Sequence, residues 1–339
     1  MTVSTGSPLH PVGQLSPLSP ANPLSPVVRL AMVVPRTLGA AYAGLLLTLA
    51  PSHTDLLFAW TMSPVTATLI GAGYAGSCAM LWLCAARARQ WAQARVSVLS
   101  SSLFMLLMLA AILLDRGTLH LTGGQLFAVL AAYGWLGFHL LAPLSGAVGL
   151  GVQRFGAAGR SVSRTAPRPG PMPWWVALPT VSSGFFLAVL GGLLFASPGW
   201  AARNWPWTAG QLDIRVLAAF ALTFGIAMLM TVRDRELQRV RHGMVALVVT
   251  GLLGLAGLLR YADQVRWGSV GASGVVAVLM LLLGLGMSGL GLSVVLPQAL
   301  PPTTRRNASP TAPIAPPVAP SVAPSGALGG PESGAGNPA

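Results

Sequence analysis

The chain has 339 residues, of which 53% are hydrophobic and only 8% are charged, and its mean hydropathy is +0.68. A soluble domain usually carries roughly a quarter charged residues, so this composition excludes an ordinary soluble protein. The net charge of +13 would suit a nucleic-acid-binding protein, but the 20 basic residues are all arginines that cluster in short loops between apolar runs. The sequence therefore predicts an all-α polytopic membrane helix bundle with no nucleic-acid partner.

The two ends of the chain differ in composition from the rest. Residues 1–28 are rich in Ser and Pro and contain neither the basic nor the apolar region of a signal peptide. Residues 299–339 are rich in Pro and Ala. We expect both segments to be disordered tails, and Met32 offers an alternative start of translation.

Between the tails, eight apolar runs have about the 20 residues that a helix needs to cross a bilayer. A polar linker containing Arg and Pro, residues 152–172, separates a first four-helix unit (29–151) from a second (173–298). The predicted spans are 30–50, 64–86, 97–114, 123–146, 174–196, 213–232, 243–260 and 272–297.

The arginines predict the orientation of these spans. With the N-terminus inside, 15 arginines fall on the cytoplasmic side and 5 on the exterior side. Because cytoplasmic loops carry the basic excess, both termini are predicted to be cytoplasmic. The composition, with no Lys and abundant Ala, Gly, Pro and Arg, indicates a bacterium and hence its inner membrane.

Three parallels between the units predict that the second is a duplicate of the first, in the same orientation. An aromatic-threonine pair precedes an apolar run in each unit, an R-x-R-x5-R turn follows that run, and a proline lies near the start of each unit's first span. The aromatic-threonine pairs are Trp60-Thr61 and Trp207-Thr208, and the prolines are Pro35 and Pro179. The arginine turns are Arg87, Arg89, Arg95 in the first unit and Arg233, Arg235, Arg241 in the second.

The arginines of these turns are candidate contacts for anionic lipid headgroups, which attract nearby basic residues by about 1 kcal/mol each. Arg36 lies near the cytoplasmic end of the first span, and we expect it to snorkel to the headgroups. The tryptophans near the ends of the spans form an aromatic belt. They are Trp60, Trp205 and Trp207 outside and Trp91, Trp174 and Trp175 inside.

A few polar residues lie inside the predicted spans. His139 is the only histidine among them, with Trp135 four residues earlier, and Tyr74 and Tyr133 are further polar positions. An intramembrane ionisable residue suggests function, although a neutral imidazole bonded to a neighbouring helix explains it equally well. His139, Tyr133 and Tyr74 are therefore the candidate intramembrane polar site.

Two groups of polar residues on the predicted exterior side contain the residue types of possible binding sites. His53, Asp55, Asp115 and His120 are the ligand types that zinc prefers, but they lie in two loops without a short metal-binding spacing. We expect solvated loop residues and no metal or cofactor. The second unit has a corresponding group, Asp213, Arg215, Arg260, Asp263 and Arg266. These residues could bind an anion or form ordinary salt bridges with one another, including an Arg260–Asp263 pair.

Small residues inside the spans favour close helix packing. Residues 284–289 spell G-x-G-x-x-G, but they lie within an apolar span rather than between a strand and a helix, so a nucleotide site is not indicated. These glycines, like those at 71, 73 and 76 and at 251, 254 and 257, predict packing faces within the chain, in a homo-oligomer or against a membrane partner. Cys78 and Cys84 are about 600° apart on one helix and cannot form a disulfide.

No set of neighbouring residues assembles a recognisable catalytic centre, and we expect the protein not to be an enzyme. The sequence favours a multipass membrane protein with an accessory, scaffold or lipid-interacting role. The alternative is a transporter of a small uncharged or hydrophobic solute, with its site between the two four-helix units.

Overall fold

The computed structural model of the chain describes residues 23–123, 125–156, 174–234 and 237–299, and it describes no side chains at 234–240 and 293–299. These residues form ten α-helices and no strand. The helices are α1 (Val28–Leu49), α2 (Thr54–Leu57), α3 (Pro64–Arg87), α4 (Trp91–Leu114), α5 (Leu126–Phe155), α6 (Trp174–Ala196), α7 (Pro198–Asn204), α8 (Gln211–Asp234), α9 (Leu237–Arg260) and α10 (Val270–Ala299).

All of these helices except α2 and α7 are long and apolar enough to cross a membrane, which makes eight candidate spans. Their outer faces carry exposed Leu, Phe and Val side chains, as a surface in contact with lipid does. The predicted class is confirmed: the chain is a multipass helical membrane protein.

The third and fourth spanning helices extend well beyond the predicted spans. The third begins at Trp91 rather than 97, because Gln90 and Gln93 form a capping box that starts the helix before the apolar run. The fourth continues past Pro143 and ends at Phe155, so this proline lies inside α5. In a membrane bundle, neighbouring groups can satisfy the carbonyl that an internal proline leaves free.

Part of the predicted N-terminal tail, residues 23–28, is described by the structure, and the expectation that it is disordered is wrong there. The backbone N–H of Leu24 donates to the carbonyl of Arg89 at 2.9 Å. The side chain of Gln153 accepts from the N–H of Ser25 at 2.9 Å and donates to the carbonyl of Pro23 at 3.2 Å. Residues 23–27 are thus held by the α3–α4 turn and the end of α5. The rest of the predicted tails and most of the predicted linker lie outside the described residues.

The two four-helix units interlock. Within the units, α1 packs along α3 and α6 packs along α8; between the units, α3 packs along α9 and α8 packs along α4. The largest apolar core cluster accordingly contains residues of both units, including Tyr74, Phe104, Phe220 and Phe224. Helices α3 and α8 therefore lie where the two units meet.

The order of helices is the same in the two units, although the first unit also has a 3₁₀ turn, Pro51–His53, between its first long helix and its short helix. Each has a long helix, a short helix, two long helices, a 3₁₀ turn and a last long helix. The 3₁₀ turns, Arg116–Thr118 and Ala262–Gln264, occupy matching places in this order. A duplicated unit would have this arrangement, and the duplication itself stays a prediction.

Several glycines permit close backbone contact, as predicted. A Cβ added at Gly76 would lie 2.6 Å from the carbonyl oxygen of Ala246, and one added at Gly286 would lie 2.8 Å from that of Met244. Gly284, in contrast, has nothing within 4 Å. The predicted packing role is confirmed for Gly76 and Gly286, which pack within the chain, and not for Gly284.

Two adjacent glycines of α6 provide a matched test of this packing. A Cβ at Gly191 would lie 2.5 Å from the backbone N of Leu222, whereas Gly192 has nothing within 4 Å. We expect Gly191→Ala to destabilise the protein by about 1–3 kcal/mol through overpacking. Gly192→Ala should stay within about 1 kcal/mol of wild type. Thermal unfolding of the two variants in lipid nanodiscs checks this, and equal stabilities would contradict the packing of α6 on α8.

Candidate functional site

Arg36 is buried in the interior of the bundle, with 1% of its surface exposed. It lies eight residues after the start of α1, about 12 Å along the helix. Its partners Ser101 and Ala142 lie about 15 Å from the start of α4 and about 20 Å from the end of α5. Because the hydrocarbon layer is about 30 Å thick, three helices place the guanidinium deep in the membrane. The expectation that Arg36 snorkels to the headgroups is wrong.

The guanidinium is held by neutral acceptors. One terminal nitrogen donates to the hydroxyls of Ser101 and Ser102, each at 2.9 Å, and the other donates to the carbonyl of Ala142 at 3.0 Å. The Nε atom has no hydrogen-bond partner among the described residues. These contacts fix the side chain between α1, α4 and α5 but supply no negative charge.

Among the described residues, no acidic side chain lies near the middle of a span. Asp55, Asp115, Asp213 and Asp263 lie at exterior helix ends or in exterior loops on the predicted topology, and Asp234 ends α8. Within the described part of the chain, the ion pair joins Arg215 to Asp115 and does not involve Arg36. A charged residue at the centre of a membrane helix costs about 2.5–3.5 kcal/mol on an insertion scale. Hydrogen bonds reduce this cost, but the positive charge of Arg36 stays uncompensated by any described carboxylate.

Arg36 lines a central cavity of about 60 Å³, and residues of both units contribute to its walls. Since one water needs about 10–15 Å³ of such space, the cavity has room for a few waters or one small solute. Its walls are mainly apolar, with Phe104 and Phe220 among them. The polar residues that line it are Arg36, Tyr74, Ser77, Ser97, Ser100 and Ser101 from the first unit and Thr180, Thr223 and Thr231 from the second.

Two of the hydroxyls in this lining are unusual. Tyr74 is 3% exposed and Thr223 is 6% exposed, yet neither hydroxyl has a hydrogen-bond partner among the described residues. The hydroxyls of Ser100, Ser101 and Thr180 instead donate to carbonyls of their own helices. Leaving a buried hydroxyl without a hydrogen bond costs about 1–3 kcal/mol of stability. A ligand in the cavity that bonds to Tyr74 and Thr223 would remove this cost.

The predicted intramembrane polar residues lie in three different surroundings. Tyr74 reaches the cavity, and its ring packs against that of Trp135 at a centroid distance of 5.6 Å. His139 is fully buried beside Trp135, at 4.6 Å between ring centroids, but does not line the cavity. Tyr133 is 55% exposed, and its hydroxyl donates to the carbonyl of Leu121. The three residues therefore do not form one site.

His139 has a defined tautomer. Its Nδ1 lies 2.9 Å from the carbonyl oxygen of Trp135, one turn earlier in α5. A carbonyl can only accept, so Nδ1 carries the proton and Nε2 has the lone pair. Nε2 is buried without a partner among the described residues. The imidazole is thus bonded within its own helix, and not to a neighbouring helix as one interpretation of the sequence expected.

At the end of the bundle that the predicted topology places outside, reciprocal tryptophan contacts join the two units. The indole N–H of Trp60 donates to the carboxylate of Asp213 at 2.9 Å, and that of Trp207 donates to the hydroxyl of Thr66 at 2.9 Å. Both acceptors lie in the first turn of a helix, α8 and α3 respectively. These tryptophans are buried in the bundle, so their predicted role as lipid-facing belt residues is wrong.

The exterior group of the second unit does not form one cluster. Asp213 bonds to Trp60 and to the N–H of Gly210, not to Arg215. Helix α9 ends at Arg260, which donates to the carbonyl of Thr48 at 3.2 Å, so the expected pair with Asp263 does not form. Arg266 donates to the carbonyls of Trp205 and Pro206.

The first unit's exterior group is also dispersed. His53 lies 3.2 Å from the hydroxyl of Ser52, His120 lies 3.1 Å from that of Thr61, and Asp115 pairs with Arg215. Across the described residues, no three His, Cys, Asp or Glu side chains lie close enough to hold a metal ion.

The arginines proposed for lipid headgroups are well placed where the structure describes them. Arg87, Arg89, Arg233 and Arg241 are exposed at one end of the bundle, and Arg95 is half-buried. Arg235 lies outside the described residues. Contact with headgroups stays a prediction.

Comparison with known proteins adds no relative. No family model, curated protein or solved structure matches the chain. The fold and the central cavity define its class, a polytopic helical membrane protein with a buried polar site between two interlocked units.

Proposed function

We propose that the protein is a membrane transporter whose solute site is the central cavity. The single observation that carries the proposal is that residues of both units line this cavity, with Tyr74 of the first unit and Thr223 of the second each contributing a hydroxyl that has no partner among the described residues. Transporters built from two units bind their solutes between the units near the middle of the membrane. Transport requires no chemical step, in keeping with the expectation that the protein is not an enzyme.

The contacts around the cavity support a closed state of such a transporter. The rings of Tyr74 and Trp135 pack together, and Trp135 in turn packs against Trp60 at a centroid distance of 6.1 Å. This aromatic layer connects the cavity wall to the exterior Trp60–Asp213 contact. Opening on the exterior side would require these contacts to separate, as movement of one unit against the other would do.

The same proposal places the protein in a bacterial inner membrane with both termini cytoplasmic and a duplicated four-helix unit. The distribution of arginines supports the orientation, and the shared order of helices supports the duplication. On this orientation, the exposed Arg87 and Arg241 face the anionic leaflet and hold the protein at its depth in the membrane.

Cysteine accessibility tests the transporter proposal. In a background where Cys78 and Cys84 are replaced by Ala, Ser100→Cys puts a thiol in the cavity lining. Ala111→Cys is the control, because it lies on the same helix, is fully buried and does not line the cavity. A small membrane-impermeant methanethiosulfonate is added to either side of sealed vesicles.

We expect Ser100→Cys to react from both sides of the membrane and Ala111→Cys to stay unreactive, because only a cavity that opens alternately admits the reagent from each face. Reaction from one side alone would contradict transport and indicate a binding site. No reaction above the control would also contradict it, and an accessory or scaffold role would then remain.

A further inference from the structure

We propose that the central cavity binds a small monovalent anion, with the guanidinium of Arg36 as its charge partner and the hydroxyls of Tyr74 and Thr223 as further donors. The inference rests on the proposed function, since it names the class of solute that the transport site takes. It replaces the uncharged or hydrophobic solute that the sequence alone suggested.

The first step of the argument is the kind of groups that the cavity offers. Arg36 supplies a permanent positive charge and an unpartnered Nε–H, and Tyr74 and Thr223 supply unpartnered O–H groups. Guanidinium and hydroxyl groups donate to an anion, and charge-assisted hydrogen bonds of this kind are the stronger ones. No described residue lining the cavity carries a carboxylate that would attract a cation.

The second step is the charge of the ligand. Arg36 is buried, and its hydrogen-bonded partners Ser101, Ser102 and Ala142 are neutral. One negative charge neutralises the site, whereas a dianion would leave a net negative charge in an apolar surrounding, which is strongly unfavourable. The site therefore selects monovalent anions over sulfate or doubly ionised phosphate.

The third step is size. A cavity of about 60 Å³ has the space of a few waters, and its remaining walls are apolar. Chloride, nitrate and formate fit that space, while an acyl chain or a sugar acid such as gluconate does not. The ligand is thus a free small anion and not the headgroup of a lipid that stays in the bilayer.

The test is a stability titration of the purified full chain in nanodiscs, at constant ionic strength with sodium gluconate as the replaced salt. We expect chloride, nitrate and formate to raise the Tm by several degrees with saturation, because a ligand that binds only the folded state stabilises it. Sulfate should give no saturable rise. Nitrate is informative because general salt effects favour sulfate as the stabilising anion.

Variants separate a specific site from a general salt effect. Arg36→Gln should abolish the saturable rise. Thr223→Val, which keeps the arginine, should shift the titration midpoint several-fold to higher anion concentration. The matched control is Thr37→Val, because Thr37 is equally buried but bonds to Val33 and does not line the cavity. It should titrate like wild type.

The outcomes distinguish the two proposals. If small anions raise the Tm in an Arg36-dependent way but Ser100→Cys is not labelled, the anion site is supported and transport is contradicted. Labelling from both sides with a Tm that does not respond to small anions would keep transport and overturn the anion. The anion site would also be overturned if the rise in Tm persisted in Arg36→Gln. It would be overturned as well if Thr37→Val weakened the response to anions as much as Thr223→Val does.

Discussion

Replacing Trp60 with Phe is expected to lower the free energy of unfolding by about 1–3 kcal/mol, because a buried carboxylate oxygen loses its donor. Asp213 is 3% exposed, and one of its oxygens accepts from the indole of Trp60 while the other accepts from the N–H of Gly210. Phenylalanine retains the aromatic contacts with Phe58 and Trp135 but cannot donate. Thermal unfolding in nanodiscs, followed by circular dichroism, measures the change.

Trp207→Phe is the matched control. Trp207 is also buried and donates across the same interface, but to the hydroxyl of Thr66, which keeps a second partner in the hydroxyl of Ser63 at 2.9 Å. Its loss should cost about 0.5–1.5 kcal/mol. If Trp207→Phe proved as damaging as Trp60→Phe, the Trp60–Asp213 bond would not be the stronger of the two tryptophan contacts between the units.

The same variant bears on transport. Loss of an exterior contact between the units favours any conformation in which they separate there. In the Ser100→Cys background, Trp60→Phe should therefore speed labelling from the exterior side more than from the cytoplasmic side. An equal effect on both sides would mean that the Trp60–Asp213 contact does not control exterior opening.

The positions of the spans could be predicted from the sequence because a bilayer imposes a length and an apolar composition on every crossing helix. The ends of the helices could not be predicted in the same way, because several helices continue into polar residues beyond the apolar run. Gln90 and Arg95 look like loop residues, yet they belong to the start of α4, and Pro143 looks like a helix end although α5 continues past it. Capping and tertiary packing decide these boundaries, and hydropathy averaged along the sequence reports neither of them.

The candidate site was predicted only in part. Tyr74 belongs to the predicted intramembrane polar site and reaches the cavity, whereas Thr223, a polar residue inside the sixth predicted span, is not part of that predicted site. The sequence assigns Arg36 to the headgroups because it lies near the end of an apolar run. The span begins two residues earlier than predicted, at Val28, which moves Arg36 inward. A signal was present nonetheless, since Ser100, Ser101 and Ser102 form a polar patch in the middle of α4.

The long-range contacts could not be predicted at all. Nothing in a single sequence indicates that Trp60 bonds to a residue 153 positions later, or that Asp213 prefers it to the nearby Arg215. The position of Trp60 at the end of a span suggested the lipid interface, where most such tryptophans lie. Only the interlocking of α3 and α8 with the opposite units brings these side chains together.

The largest effect is expected from replacing Arg36 with Met, a side chain of similar length without a charge. In a buffer whose only anion is gluconate, Arg36→Met should be more stable than wild type by about 1–4 kcal/mol, the range seen when apolar residues replace buried ion pairs. The physical reason is that wild type then holds a positive charge that no described carboxylate compensates.

The alternative is that Arg36 is a structural link, whose three hydrogen bonds join α1, α4 and α5. Arg36→Met would then lose those bonds and be less stable than wild type in every salt. The anion site predicts a different pattern, in which the advantage of the variant shrinks as chloride replaces gluconate, because only wild type gains a ligand. The sign of the difference in unfolding free energy between Arg36→Met and wild type in gluconate, and the change in that difference with chloride, therefore decide the role of Arg36. They show whether this buried arginine stabilises the fold or binds a solute.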